Sequence, residues 1–593
     1  MPIQTLTELF LVAAGHDKAA LLMHKVDGKY VSISTRQFVA DVHRLTKALG
    51  GLGVERGDRV ALMAENGPSW PLIDFASLCA GAALVPIYPT LLPEQAAYVA
   101  NDSGAKVLFV QGAQRLESLL ALRSEMPLVK RFVVIGAPGM KDAPTLESVL
   151  ATGDGATADE FESQARMARP DDLATLIYTS GTTGNPKGVM LTHGNIASNI
   201  EAGIRNLEIK GEYTALSFLP LAHSFERTVD YIYFYKGCTI AYAESVMTVA
   251  QNLSEVRPQV FVSVPRVYEK VLAKVQENVA KGSGLKQKIF AWANGVGRRA
   301  LPWRLKRESP PGFLGLKLKL ADKLVFAKIR ERLGGRFEFA VSGGAPLGRD
   351  VAEFFWGAGV PIYEGYGLTE TSPVLTVGAR RAVKLGTVGR AVDGVTLRIA
   401  ADGEILAKGP NIMKGYYNNP TATAEVIDSE GWFHTGDIGN IDSEGFLAIT
   451  DRKKEILVNA YGKNIAPAPI ENSLKASRWI AQAVVIGDQR QFLSALIVPD
   501  FEALRAWGSK NGASGDDASL IADPRVHAMI KTDVEGVNKS LARYEQVRTF
   551  ELLPKEFTLE TGELTPTQKV KRRVVTQKYA EAIDKMYRDN DAG

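Results

Sequence analysis

The sequence predicts an α/β fold of more than one domain: helix-covered, mostly parallel sheets in a large N-terminal region, then a smaller α+β region. Three observations predict it. The chain has 593 residues, several times the usual length of one domain. Short β-rich runs alternate with longer helix-compatible stretches over most of its length, the pattern of parallel strands covered by crossover helices. After about Gly386 the texture changes to short strands and Gly-containing turns, and it changes again near Asp451.

The elements justify this in order. The opening MPIQTLTELFLVAAG has no basic lead before its short apolar run, so no signal peptide is expected. The longest apolar stretch, around Ala76 to Pro86, is shorter than the ~18 to 20 residues of a membrane span. KVLFV (Lys106 to Val110), FVVI (Phe132 to Ile135), TLIY (Thr175 to Tyr178), QVFVSV (Gln259 to Val264) and FEFAVS (Phe337 to Ser342) read as strands of parallel sheets. Ligands of such sheets bind beyond the carboxyl ends of the strands. ADGEIL and DSEGFLAIT supply the short strands, and AVVIGDQRQFLSALIVP reads as a hairpin in the last region. The expected boundary divides the chain into residues 1–451 and 452–593.

Composition bounds the function. With 46% hydrophobic and 23% charged residues the chain is neither disordered nor fibrous. Cys79 and Cys238 are its only cysteines, so no disulfide framework exists and a reducing, cytoplasmic setting is expected. The net charge of +4 is too small for nucleic-acid binding over the whole surface. It is unevenly spread: between Lys281 and Arg336 there are 15 Lys or Arg against three acids, a local balance of +12.

The sharpest chemical signal follows the TLIY strand: Thr179, Ser180, Gly181, Thr182, Thr183, Gly184, Asn185, Pro186, Lys187, Gly188. Glycines and small hydroxylic residues let backbone N–H groups approach an anion, and a lysine adds charge. This suits a triphosphate cradle. It is not a Walker A loop, because Pro186 and Gly188 stand where that loop has Gly and Ser or Thr.

YTSGTTGNPKGVMLTHGN resembles the signature phosphate loop of the adenylate-forming superfamily of acyl-CoA synthetases, luciferases and peptide-synthetase adenylation domains. The resemblance continues in order through LPLAHSFER (Leu219 to Arg227), SGGAPL (Ser342 to Leu347), YEGYGLTETSP (Tyr363 to Pro373), GWFHTGD (Gly431 to Asp437), DRKKEILVNAYGKNIAP (Asp451 to Pro467) and TPTQKVKR (Thr565 to Arg572). It is nearest to the long-chain fatty acid CoA ligases. It implies a barrel-like subdomain and a C-terminal domain that is mobile, rotating between two half-reactions: formation of acyl-AMP from ATP, then its conversion to a CoA thioester.

The resemblance also implies roles. Gly343, Gly344 and Ala345 would carry the adenine ring, with Tyr366 and Gly367 on its other face. Thr369 would donate to the α-phosphate, and Glu370 would hold Mg²⁺ together with the phosphates; alone, Glu370 reads as a capping acid. Asp437 would accept the ribose hydroxyls and Arg452 would be a second ribose or phosphate contact; their plain readings are a turn aspartate and a surface ion pair. His223 would lie near the substrate carboxylate, or serve as a structural histidine. His193 would stabilise the turn and helix after it. Lys454 matches the hinge, Lys569 the adenylation lysine and Gly462 the loop lining the CoA tunnel. Gln568 replaces the glycine that many relatives have before that lysine. Tyr231, Tyr233, Phe234 and Tyr235 line the acyl tunnel or pack the core; the sequence leaves both open.

Three readings compete. The first is a long-chain fatty acid CoA ligase using ATP, Mg²⁺ and CoA. The second loads an acyl carrier protein, and the third is a membrane-associated fatty-acid uptake or binding protein. The basic segment adds a partner. On a helical projection of residues 313–333, Leu314, Leu318, Val325, Ile329 and Leu333 share one face. Leu316, Leu320 and Leu324 gather on the other, with lysines flanking. One stripe would dock on the protein and the other on the inner face of an anionic membrane, or both would be packed within the large domain.

Overall fold

The computed structural model describes residues 2–140, 143–179, 185–245, 248–380, 382–453, 455–513, 515–558, 560–565 and 570–591. The elements that position the site are, in chain order, helix α1 (Ser69–Cys79), strands β1 (Leu173–Thr179) and β2 (Lys187–Thr192), helix α2 (Ser224–Lys236), helices α3 (Gly284–Arg304), α4 (Gly312–Ala321) and α5 (Ala327–Arg332), and strands β3 (Phe339–Ser342), β4 (Ile362–Gly367) and β5 (Gly415–Tyr416).

One sheet has seven strands. Its order is β5, β2, β1, Ala83–Ile87, Arg59–Met63, Val107–Gln111 and Arg131–Ile135. From β1 to Arg131–Ile135 every neighbouring pair is parallel. β1 and β2 form an antiparallel hairpin, Thr179 opposite Lys187, and β5 adds antiparallel to β2. The strands are almost wholly apolar, as strands covered on both faces must be.

A second sheet has nine strands, with β4 and β3 followed by Val260–Ser263, Thr214–Ser217, Thr239–Tyr242 and Leu22–Val26 as a parallel run. Its antiparallel ends are Val374–Val377 and Arg390–Ala391 on one side and Lys29–Ile33 on the other. The expected strands are therefore present, within a residue or two at their ends. The Gly-rich stretch after Gly386 gives a four-stranded half-barrel sheet of Thr396–Ile399, Glu404–Lys408, Phe433–Ile441 and Leu447–Arg452.

The chain divides into two compact units. One comprises residues 1–398, 406–435 and 441–447; the other residues 399–405, 436–440 and 448–593. In the second unit the expected hairpin is Ile480–Ile486 with Leu493–Pro499, antiparallel, joined by Val547–Leu552 in a three-stranded sheet. Its core is gathered around Leu474, Val485, Leu496, Leu504 and Val526.

Helices α3, α4 and α5 belong to the first unit. A π-helical turn at Asp322–Phe326 joins α4 to α5, and Asp322 accepts two hydrogen bonds from Arg330 at 2.7 Å each. Where α3 meets the helix Arg349–Gly357, a Cβ on Gly297 would stand 3.1 Å from the Gly357 carbonyl and from the Phe326 ring. A side chain there would have to push the two helices apart by a few tenths of an ångström. Among the described residues no helix is long and apolar enough to cross a membrane.

Candidate active site

β1 ends at Thr179, and the segment from Ser180 to Gly184 lies outside the described residues. The flanks are firmly placed. The Tyr178 hydroxyl donates to Asp102 at 2.6 Å, and the Tyr178 ring lies where a Cβ on Gly188 would meet it at 3.0 Å. Half-buried Lys187 opens β2, and its Nζ stands 5.0 Å from the ring centre of Tyr416 on β5. The Tyr416 hydroxyl in turn donates to Glu370 Oε1 at 2.9 Å. Burial, and then the Glu370 carboxylate, hold that phenol well above its ordinary pKa.

Two residues far apart in sequence thus meet on one tyrosine that the sequence reading overlooked. The backbone secures the arrangement. Met413 N–H donates to Glu370 O at 2.9 Å, Lys414 N–H to Met190 O at 3.0 Å and Tyr417 N–H to Gly188 O at 2.7 Å. Segment 413–417 therefore stitches the Lys187 strand to the 3₁₀ turn Thr369–Thr371. Thr369 is buried. At the bulge between Tyr366 and Gly367, a Cβ on Gly367 would lie 1.7 Å from the Pro373 carbonyl oxygen.

β3 delivers Ser342, Gly343, Gly344 and Ala345. Gly343 N–H donates to Ser263 O at 3.1 Å, and a Cβ on Gly343 would press on the Phe225 ring at 3.0 Å. Gly344 takes φ +80°, and a Cβ there would meet only Val264 Cγ1, at 3.7 Å. A flat group could lie against this stretch. Glu364, one residue into the YEGYG run after Tyr363, is pushed up to about 7 by burial.

His223 caps α2: its Nδ1 accepts from Phe225 N–H at 3.1 Å. With Nδ1 an acceptor, the neutral ring carries its proton on Nε2, the arrangement a carboxylate contact needs. The rest of α2 is unusual because its charges are inside. Arg227 donates to both carboxylate oxygens of Asp74, at 2.9 and 2.5 Å, and to Thr175 Oγ1 at 2.8 Å. Tyr231 donates to Asp74 at 2.6 Å, and Thr175 passes its own proton to Leu84 O at 2.6 Å. This buried network ties α2 to α1 and to β1.

A second buried set lies on the same helix. Glu226 Oε1 accepts from Ser217 Oγ at 2.7 Å and Phe218 N–H at 3.0 Å, and Tyr242 donates to Asp230 at 3.1 Å. Burial, then the charge of Asp230, pushes Glu226 well above the carboxylate range, and burial pushes Asp230 up to about 7. In both groups burial favours the protonated carboxyl over the carboxylate.

The sequence signal for the first network was available. Asp74 is the only charged residue between Glu65 and Glu94, and an acid alone in an apolar run needs a partner.

The four aromatics of α2 resolve toward packing. Tyr231 is held by Asp74, while Phe234 stacks on Phe38 at 5.6 Å and meets Phe75 edge-on at 5.1 Å. Tyr233 is buried and Tyr235 half-buried. His193 also differs from expectation: its Nδ1 accepts from Leu6 N–H at 3.2 Å, so it anchors the N-terminal helix, and burial pushes it down to about 4.

In the second unit, Asp437 is buried, and Arg452 reaches it at 3.2 Å with its own side chain 44% exposed. Alongside, Lys453 bridges Glu404 at 2.9 Å and Asp402 at 2.7 Å, and Gly436 N–H donates to Glu404 at 2.9 Å. Gly462 takes φ +73° in the exposed turn of the hairpin Leu457–Val458 with Asn464–Ile465. Lys454 and Lys569 lie outside the described residues; Lys569 is followed by Val570, which bridges to Leu564.

For a divalent cation the donors fit a phosphate-borne ion. Glu370 offers a carboxylate beside Lys187 and Tyr416. Among the described residues no group of three His, Cys, Asp or Glu could hold a metal by itself. Mg²⁺ takes few protein ligands when phosphates supply the rest.

Comparison with known proteins gives the family. Residues 11–417 match the family of AMP-binding enzymes and residues 454–591 the AMP-binding enzyme C-terminal domain. The chain is 42% identical to the long-chain-fatty-acid–CoA ligase FadD15 of Mycobacterium bovis, covering 95% of this chain and 93% of that one. It is 35% identical to the peroxisomal long chain acyl-CoA synthetase 6 of Arabidopsis thaliana, over 91% of this chain and 79% of that one. Among solved structures, the anthranilate CoA ligase AuaEII in complex with anthranoyl-AMP superposes with a TM-score of 0.75 at 19% identity, covering 98% of each chain.

Proposed function

The chain belongs to the family of AMP-binding enzymes, and from that premise we propose that it is a long-chain fatty acid CoA ligase. The fatty-acid carboxylate attacks the α-phosphorus of ATP, and the bond to the bridging oxygen breaks to give acyl-AMP and pyrophosphate. The thiol of CoA gives up its proton to solvent, its thiolate attacks the acyl carbon, and AMP leaves. The observation that carries the reading is the meeting of Lys187 and Glu370 on Tyr416, beside Thr369 and below the phosphate-loop strand.

In this reading Lys187, Thr179, Thr369 and the Ser180–Gly184 stretch hold the phosphates, a charge-neutralising arrangement set up before reaction begins. Glu370 would hold Mg²⁺ together with the phosphates, and the ion would neutralise further phosphate charge. Gly343, Gly344, Ala345, Tyr366 and Gly367 hold the adenine, and Asp437 and Arg452 the ribose. His223 orients the carboxylate through Nε2. Residues 1–451 form the adenylation domain and residues 452–593 a small domain turning at Lys454, which would bring Lys569 to the first step and Gly462 to the CoA path. Peripheral attachment to an anionic membrane, on its cytoplasmic face, brings the enzyme to its substrate.

The test is a split of the half-reactions. Lys569→Ala is expected to slow acyl-AMP formation by about 10² or more, the scale of losing a transition-state charge contact. Conversion of supplied acyl-AMP and CoA to thioester stays near normal. Equal losses in both steps would remove Lys569 from the role. Purified protein given ATP, palmitate and either CoA or acyl carrier protein, followed for AMP and thioester, separates the ligase from a carrier-loading enzyme and from a non-catalytic binding protein.

A further inference from the structure

We propose that the helix formed by α4, the π-helical turn and α5 lies in the surface of an anionic lipid bilayer, its leucine stripe among the acyl chains and its lysines on the headgroup phosphates. The proposal rests on the long-chain fatty acid reading for its purpose and on the helix itself for its content.

The helix has two apolar faces. Leu318, Ala321, Phe326, Ile329 and Leu333 are turned to the protein, each at most 7% exposed. Phe313, Leu316, Leu320 and Leu324 are 70%, 64%, 50% and 41% exposed. Their spacing of three, four and four residues places them on one narrow stripe of a helix. Large apolar residues scattered singly over a surface need no explanation, but four in one line do.

The charges around the stripe choose the occupant. Arginines of the same hairpin are committed to the protein: Arg298 to Asp350, Arg304 and Arg330 to Asp322. Lys317, Lys319, Lys323 and Lys328 have no carboxylate within ion-pair distance among the described residues. Lys317 Nζ lies over the Phe313 ring, 4.4 Å from its centre, a cation–π contact that sets a positive charge directly against the exposed stripe. Lysine is depleted from protein–protein interfaces, and a second copy would set lysine against lysine. A leucine stripe flanked by unpaired lysines, within a segment of local charge +12, complements anionic lipid.

The experiment is co-sedimentation of the full chain with vesicles of phosphatidylcholine alone and of phosphatidylcholine mixed with phosphatidylglycerol. The unmodified protein is expected to sediment with the mixed vesicles only, less at high salt. Two surface variants, each checked for native circular dichroism, divide the interaction. Lys317→Glu with Lys319→Glu, Lys323→Glu and Lys328→Glu is expected to lower partitioning at least ~100-fold. Leu316→Ser with Leu320→Ser and Leu324→Ser is expected to lower it by a similar factor. Leu320→Cys carrying an environment-sensitive fluorophore is expected to shift to the blue on mixed vesicles alone. No sedimentation at low salt, unaltered binding by the leucine variant, or a lipid-free dimer that this variant abolishes would each overturn the proposal. Activity of both variants on detergent-solubilised palmitate is expected to be unchanged. Vesicle binding without any ligase activity would instead overturn the fatty-acid reading and leave the surface standing.

Discussion

Helix α2 and the α4–α5 helix invert the usual rule in opposite ways. α2 keeps charged side chains inside, where Glu226, Arg227 and Asp230 are each at most 3% exposed. The α4–α5 helix keeps large apolar side chains outside. A buried charge is tolerated only when partners supply what water gave, and Asp74, Thr175 and Tyr231 supply it for Arg227. An exposed apolar stripe has no such internal remedy. Where the violation is inward its explanation lies within the chain, and where it is outward the explanation lies with whatever the chain meets.

Breaking the inward case is expected to have the largest effect. Asp74→Ala leaves a buried guanidinium without its counter-charge and is expected to cost about 3–5 kcal/mol in urea unfolding. Replacing both partners, Asp74→Leu with Arg227→Met, is expected to recover most of that loss. A cost below 1 kcal/mol for Asp74→Ala would mean that Arg227 is not desolvated and would end the comparison. The protein-facing side of the second helix comes next. Phe326→Ala opens a cavity beside Gly297 and is expected to cost about 3–5 kcal/mol by the same measurement.

The carboxyl pair of α2 sharpens the comparison through pH. Asp230 is raised to about 7, and Glu226 is raised as well, so the folded chain keeps protons that the unfolded chain releases near pH 4. The stabilising contribution is complete below that value and is lost as pH rises toward about 7. The slope is at most ~1.4 kcal/mol per pH unit for each proton held. Glu226→Gln with Asp230→Asn is expected to flatten that part of the stability curve; an unchanged slope would show that Glu226 and Asp230 are ionised in the fold. The smallest effect is expected on the outer stripe. Leu316→Ser should change stability by no more than ~0.5 kcal/mol, and a larger loss in thermal unfolding would show that the stripe is packed.

Much of this was legible in the sequence because the signals were local. The strands announced themselves as short β-branched runs, and the two faces of residues 313–333 followed from helical spacing. What escaped needed partners distant in the chain. Tyr416 sits 46 residues from Glu370, and Arg227 is 153 residues from Asp74. The aromatics of α2 could not be assigned because Tyr231, Tyr233, Phe234 and Tyr235 run too closely to fall on one face. Asp74 in its apolar run was a sign that some cation lay near, without saying which.

The Arg227 network also sets terms for anyone who would re-engineer this enzyme. α2 carries His223 at its cap and Phe225 against Gly343, so under the proposed function it is the helix to vary beside the adenylate. Ten of its thirteen residues are buried, and Arg227 is wired through Thr175 to β1. A library that scrambles the whole helix would therefore return mostly inactive clones, whatever substrate it was selected on. The tolerant coordinate is Phe225, half-buried and outside both polar sets. Contour can be changed there one side chain at a time while both buried polar sets stay in place.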